Sequence, residues 1–249
     1  MAPRSYATEA VVLRSIRLGE ADRVLHLYTA ERGRLGAVAK GVRKTTSRFG
    51  GRLEPLSHVE LQLHQGSGEL QTITGVVLRG SHQAARDDYY RLSVGLIGAE
   101  AMLRLFTEQE RNERAFVALT RFLDVLDSSP HAADRPALDP LGLAFQLKLL
   151  WLSGYLPHLT SCAECGAEDA TLVGYSPRAG GAVCRACANQ SEALALSSDG
   201  VRGIEALLAS PLADATALAL TERAARDALR VVTASYEYHG GFRLRTLSA

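Results

Sequence analysis

The chain of 249 residues is short of the features that mark exported, membrane-bound or catalytic proteins. The N-terminus, Met1-Ala-Pro-Arg-Ser-Tyr6, passes into mixed polar and apolar residues without the apolar core of a signal peptide, so export is not expected. The most apolar window, Leu141 to Leu156, falls short of the roughly 20 residues a bilayer span needs and carries Gln146 and Lys148. It reads as a buried helix, and the chain is expected to be soluble and cytoplasmic. Gly36-x-x-x-x-Gly41 opens like a phosphate-cradling loop, but Val42 and Arg43 follow where Lys and then Ser or Thr are required. There is no nucleophile elbow, no G-x-G-x-x-G fingerprint and no D-x-D cluster, so catalysis is not expected.

Acidic residues are also missing from one stretch, Arg34 to Arg52, where Arg34, Lys40, Arg43, Lys44, Arg48 and Arg52 stand among glycines and hydroxyls. Such a segment suits phosphate oxygens. Residues 1–52 hold eleven Lys or Arg against four Asp or Glu, whereas the rest of the chain has 17 basic and 23 acidic residues. The asymmetry points to a nucleic-acid-facing N-terminal end and a second part with another task.

Residues 57–64 alternate cleanly, with Val59, Leu61 and Leu63 on one face and His58, Glu60, Gln62 and His64 on the other, the pattern of a half-buried strand. Weaker alternation at 8–15, 23–29, 35–40 and 69–77 gives five short strands punctuated by glycine. An OB-fold barrel leads, and an SH3-like barrel has much the same pattern. Beyond Arg79 the period becomes helical. Leu92, Leu96, Ala99, Leu103 and Phe106 define one helix, with Asp87 and Asp88 at its N-terminus, and Phe116, Leu119, Leu123 and Leu126 define the next. A breaker at 128–136 precedes an apolar helix at 138–153, and two more helices follow, at Val201, Ile204 and Leu208 and, after a Thr221 N-cap, at Ala225, Leu229, Val232 and Tyr236. The later helices are expected to pack on the earlier ones.

All four cysteines fall in two C-x-x-C pairs, Cys162/Cys165 and Cys184/Cys187, eighteen residues apart. This is zinc-ribbon spacing, with one structural Zn2+ as the expected cofactor. Two disulfides are disfavoured in a reducing cytoplasm. His58-Val-Glu60 resembles half of a zinc deaminase signature, but it lies on a strand pattern, the first C-x-x-C is about a hundred residues away, and Ser161 replaces proline. His26, His64, His82, His131, His158 and His239 form no spaced ligand pair and read as surface or satisfied residues. The expected fold class is α+β multidomain: a small β-barrel at 1–80 with the OB-fold as leading candidate, a helical domain at 81–157 resumed at 196–249, and a four-cysteine zinc ribbon inserted between them at 158–195.

Taken together, Ala10-Val-Val-Leu-Arg-Ser15, Leu18-Gly-Glu-Ala-Asp-Arg23, Gly33-Arg-Leu-Gly-Ala-Val-Ala-Lys-Gly-Val-Arg43, Ser47-Arg48, Leu53-Glu-Pro55, Gly154-Tyr-Leu-Pro157, Cys162 to Gly166 and Gly180-Gly-Ala-Val-Cys-Arg-Ala-Cys187 resemble the bacterial RecO family of recombination mediators. The resemblance spans almost the whole chain. It implies an OB-fold, a helical bundle and a zinc-binding insertion. It implies binding of single- and double-stranded DNA, annealing of complementary strands, and loading of the RecA recombinase with RecR. It also implies contact with the acidic tail of single-stranded DNA-binding protein (SSB) through the helical part. Lys40, Arg43, Lys44 and Arg48 match the family's basic motif and are the expected DNA contacts, flanked by Arg14, Arg34 and Arg52. Phe49 and Tyr28 are the candidates for stacking on bases. Two other readings stand beside it: a zinc-ribbon assembly factor whose basic barrel serves RNA or acidic polypeptides, and an unrecognised nuclease or transferase.

Overall fold

Alternation at 57–64 builds the strand it predicts. In the computed structural model, which describes residues 5–66, 68–130, 133–190 and 192–247, the strand His58–His64 has Val59, Leu61 and Leu63 wholly buried. It is the fourth of five: β1 (Ser5–Leu18), β2 (Asp22–Thr29), β3 (Gly33–Ala39), β4 (His58–His64) and β5 (Gln71–Gly80). They close a barrel in the neighbour order β1-β2-β3-β5-β4. Closure requires β1 to serve both sides: Ser5 to Val11 pair with β4, and Ala10 to Leu18 pair with β2, with an irregularity between Val12 and Arg14. The β3–β5 pairing is parallel and the others antiparallel. This five-stranded Greek-key barrel is an OB-fold, which decides between the two barrels the sequence allowed.

Ala10, Val12, Leu25, Leu27, Leu35, Ala37, Val59, Leu61, Leu63 and Ile73 fill the barrel, and Phe49 and Leu53 plug it from the β3–β4 connection. At the β2–β3 turn, Gly33 has φ 61°, and a Cβ there would sit 2.0 Å from the carbonyl oxygen of Glu110, so only glycine fits.

Three helices pack with the barrel in a compact unit, Met1–Ser128: α1 (Gln83–Asp87), α2 (Tyr89–Leu105) and α3 (Glu113–Ser128). Asp88 caps α2 by accepting from the Arg91 N–H at 2.9 Å, whereas Asp87 closes α1. In α3, Phe116, Leu119, Leu123 and Leu126 are all buried, as their spacing predicts. In α2 Ala99 is buried as expected, but the rest of the buried face is rotated: Val94, Ile97, Ala101 and Met102 are inside, while Leu92, Leu96 and Leu103, with Phe106 at the C-cap, are half-buried. Gly95 explains the rotation, because a side chain there would strike Leu56 at 2.6 Å, and its absence lets the helix settle on that side. His82, at φ 45°, is buried between the Leu56 carbonyl (2.7 Å) and the Asp124 carboxylate (3.0 Å) and ties the barrel to α3.

The second unit, Ser129–Ala249, is built around α4 (Pro140–Leu152). Asp139 caps it by accepting from Leu141 N–H and Gly142 N–H, and Leu143, Ala144, Phe145, Leu147, Leu149 and Leu150 are fully buried. Each such Leu stabilises the core by roughly 2 kcal/mol. A three-stranded sheet of β6 (Leu172–Ser176), β7 (Gly181–Cys184) and β8 (Leu194–Ala195), in the order β7-β6-β8, carries the cysteine region together with α5 (Arg185–Gln190). Then come α6 (Ser198–Ala209), α7 (Leu212–Ala215) and α8 (Glu222–Gly240), which pack on α4; the short α7 has no counterpart in the helical spacing of the sequence. Thr221 caps α8 by accepting from Ala224 N–H at 3.1 Å. Among the described residues no helix is long and apolar enough to cross a membrane. His131 lies outside the described residues.

Candidate functional site

Period-2 alternation divides the first three strands into two faces. Leu25, Leu27, Leu35 and Ala37 point into the barrel, so Val24, His26 and Tyr28 on β2, with Arg34, Gly36 and Val38 on β3, form the outer face. On β1, Arg14 pairs with His26, Ile16 with Val24 and Leu18 with Asp22, which brings Arg14, Ile16 and Leu18 to the same face. Ile16 and Leu18 are 38% and 44% exposed, and Val24, His26 and Val38 are half-buried. The outer face is an aliphatic surface bordered by cations. At its other end Val11 and Tyr28 are buried, and Tyr28 packs edge-on against Phe106, 5.5 Å between centroids.

The predicted contacts divide by what holds them. Arg14, Lys40, Lys44 and Arg52 are exposed, and their side-chain charges have no ion-pair or hydrogen-bond acceptor among the described residues. Arg48 is exposed, its guanidinium 5.1 Å from the Phe49 ring centroid. Arg43 is folded back onto the β1–β2 turn: its guanidinium donates to the carbonyls of Gly19 (3.2 Å) and Glu20 (2.8 Å), and its N–H donates to Ala21. With Gly41 N–H donating to Asp22 at 2.7 Å, these bonds pin the start of the basic loop to the strands. Arg34 donates to the Leu103 carbonyl and lies 3.4 Å from the Glu108 carboxylate, anchoring the segment after α2.

Neither expected stacking ring is available. Phe49 is 2% exposed inside the barrel, and Tyr28 is fully buried beneath Phe106. Phe49 lies in a connection without period, so nothing in the sequence signals that its ring turns inward. His26 carries no signal in the sequence beyond that of an ordinary histidine, yet its ring is on the open face. The register of β1, β2 and β3 places it there, and short-range pattern does not reveal register. Burial lowers its pKa, and the neighbouring Arg14 and Arg34 lower it further against the opposing pull of Glu108.

The four cysteines meet in the second unit with their sulfurs within 4.8 Å of one another. Cys162 and Cys165 sit in a tight turn closed by Gly166 N–H to Cys162 O (2.8 Å), and Cys184 and Cys187 lie at the β7–α5 junction. The Cys165–Cys184 sulfur separation is 3.9 Å. Thiolates arranged tetrahedrally at about 2.3 Å from a zinc ion are about 3.8 Å apart, whereas a disulfide is about 2.05 Å. The cluster is therefore compatible with a single zinc ion. Burial opposes ionisation of Cys162, but N–H groups of Cys184, Cys165 and Glu164 aimed at its sulfur bring the pKa down to about 6. Cys187 is pushed up to about 12 by burial and by the surrounding thiols.

Fold and site define the class: an OB-barrel protein with a basic segment after its third strand, and a helical unit bearing a four-cysteine cluster compatible with a zinc ion. The family model described as Recombination protein O N terminal matches residues 1–82, and that described as Recombination protein O C terminal matches residues 86–248. The DNA repair protein RecO of Rubrobacter xylanophilus is 36% identical over 228 residues, covering 90% of this chain and 89% of the relative. That of Nocardioides sp. is 41% identical over 186 residues (73% and 74%), and that of Frankia casuarinae 38% over 246 residues (97% and 96%). The chain belongs to the RecO family of DNA repair proteins.

Proposed function

We propose that this protein anneals complementary DNA strands and, acting with RecR, loads RecA onto SSB-coated single-stranded DNA without catalytic chemistry of its own. The observation that supports the reading is the outer barrel face, where exposed Arg14 stands on an aliphatic surface, with exposed Lys40, Lys44, Arg48 and Arg52 in the segment that follows β3. Cations at the border take phosphates, and the apolar floor takes bases without reading sequence. Annealing needs this combination, because two strands must be held with their charge screened and their pairing edges free. Arg43 and Arg34 support the site by holding the loops that frame it.

Zinc, held by Cys162, Cys165, Cys184 and Cys187, would join the turn before β6 to the β7–α5 junction. Four thiolates leave no open coordination position, so its contribution is to folding. For the acidic SSB tail, the second unit offers an apolar cavity of about 610 Å³ lined by Lys148, Trp151, Leu156, Leu159 and Leu208. Its cation is Lys148, whose ammonium donates to the Leu208 carbonyl at 3.0 Å, while Glu205 on the same wall works against an acidic ligand.

The deciding experiment is annealing of complementary oligonucleotides coated with the cognate SSB, without ATP, by the wild type and by a variant with Lys40, Arg43, Lys44 and Arg48 all changed to Ala. Fast annealing by the wild type and none by the folded variant is expected. A zinc-loaded wild type that binds DNA yet leaves the annealing rate unchanged overturns the reading.

A further inference from the structure

Across the open face one cross-strand row reads Arg14 on β1, His26 on β2 and Gly36 on β3. A cation, a ring and a bare backbone stand side by side. Gly36 leaves room that Leu70, from the β4–β5 connection, occupies: a Cβ at position 36 would lie 2.6 Å from the Leu70 Cδ2. Leu70 is itself 43% exposed, so the loop lays an aliphatic side chain over the strand next to the histidine position. Among the outward positions of β1 to β3 and Lys40 just beyond, only His26 and Tyr28 are aromatic, and Tyr28 is covered by Phe106. His26, half-buried, is therefore the one ring of this face, among the described residues, that is not wholly buried.

We propose that His26 is the base-stacking residue of the strand-binding face, taking an unpaired nucleobase against its ring while Arg14 and Lys40 hold the neighbouring phosphates. The inference rests on the DNA-binding reading of the barrel. A flat ring flanked by aliphatic side chains is what sequence-independent strand binding requires, because every base has a π-face. The groups that face His26 are Arg14 from β1, Arg34 from β3 and Glu108 from the segment after α2. Burial first, and then the two cations against one carboxylate, lower the imidazole pKa and so favour the neutral ring, which suits contact with a base more than with phosphate. Affinity gained from His26 should then be independent of salt, unlike that gained from Lys40.

The test uses the full-length zinc-loaded protein at pH 8 and fluorescence anisotropy with two probes: an oligothymidine, and a strand of equal length with abasic sites, which has the same phosphates and no bases. His26→Ala should weaken oligothymidine binding about five-fold or more while leaving abasic binding and the salt slope unchanged. His26→Phe should restore binding. His26→Leu, which keeps apolar bulk without a ring, should remain weak and covers the case in which the alanine variant fails to fold. Equal loss on both probes, or a phenylalanine variant as weak as the leucine one, overturns the proposal. The quadruple Lys40, Arg43, Lys44, Arg48 alanine variant separates the two readings. If it loses binding while the His26 variants bind normally, stacking alone fails; if it binds normally, the DNA face fails and stacking with it.

Discussion

Changing Lys40, Lys44 and Arg48 together to Ala should flatten the salt dependence of single-strand binding, whereas changing Arg43 should act mainly on stability. The three side chains are exposed and have no carboxylate or carbonyl partner among the described residues, so each is available to a phosphate. Each phosphate contact on a single strand contributes about 0.7 to the slope of log K against log salt. The triple variant should therefore lose about two units of slope, which at 0.1 M salt corresponds to roughly a hundredfold in affinity. The Arg43 guanidinium already bonds the carbonyls of Gly19 and Glu20. Exposed to solvent, those bonds contribute on the order of 1 kcal/mol, and Arg43→Ala should lower the unfolding midpoint while changing the slope by well under about 0.7. Anisotropy titrations across a salt series, with urea melts of the same preparations, decide the matter. If Arg43→Ala flattens the slope as much as Lys44→Ala and leaves the melt unchanged, the structural role argued for Arg43 is wrong.

Replacing Cys162 and Cys165 by Ser should abolish stoichiometric zinc, measured by metal analysis, and lower the thermal midpoint while leaving oligonucleotide affinity mostly intact. Loss of DNA binding by a folded double variant would contradict the division of labour between the two units. Asp139→Ala should destabilise the protein by about 1–2 kcal/mol in urea titration, because the buried carboxylate is the acceptor for two N–H groups at the start of α4. No change would show that α4 does not need its cap. The lowered His26 pKa sets a sign for stability: the unfolded chain takes up the proton first, so stability is full above about pH 6.5 and falls as pH drops toward the folded value. His26→Leu should remove that part of the acid loss, seen by comparing urea midpoints at pH 7.5 and 5.5, and an unchanged pH dependence would refute it.

Several features are legible because they are local. Strand alternation at 57–64, the helical spacing of Phe116 to Leu126, and the Thr221 cap each depend on residues within one element, and backbone geometry alone turns them into faces and ends. The two C-x-x-C pairs point to a candidate metal site for the same reason, since each pair presents two sulfurs from one short stretch of chain. The basic stretch is equally plain as composition. Which of its charges are engaged is not: Arg34 and Arg43 differ from Lys40 and Lys44 through carbonyls, and for Arg34 also the Glu108 carboxylate, brought close by the fold.

What sequence by itself determined is thus most of the inventory: the five barrel strands, the five longer helices, two cysteine pairs, an excess of positive charge at one end, and motifs that place the chain in its family. Tertiary structure alone decided the order in which the strands close, the side of α2 that Gly95 lets inward, the burial of Phe49 and Tyr28, and the row that sets His26 between Arg14 and Gly36. The physical reason is range. Periodicity, caps and paired ligands are fixed by neighbours in the chain, whereas register and burial depend on which distant segment arrives across the sheet, and a one-residue slip would turn His26 into the barrel.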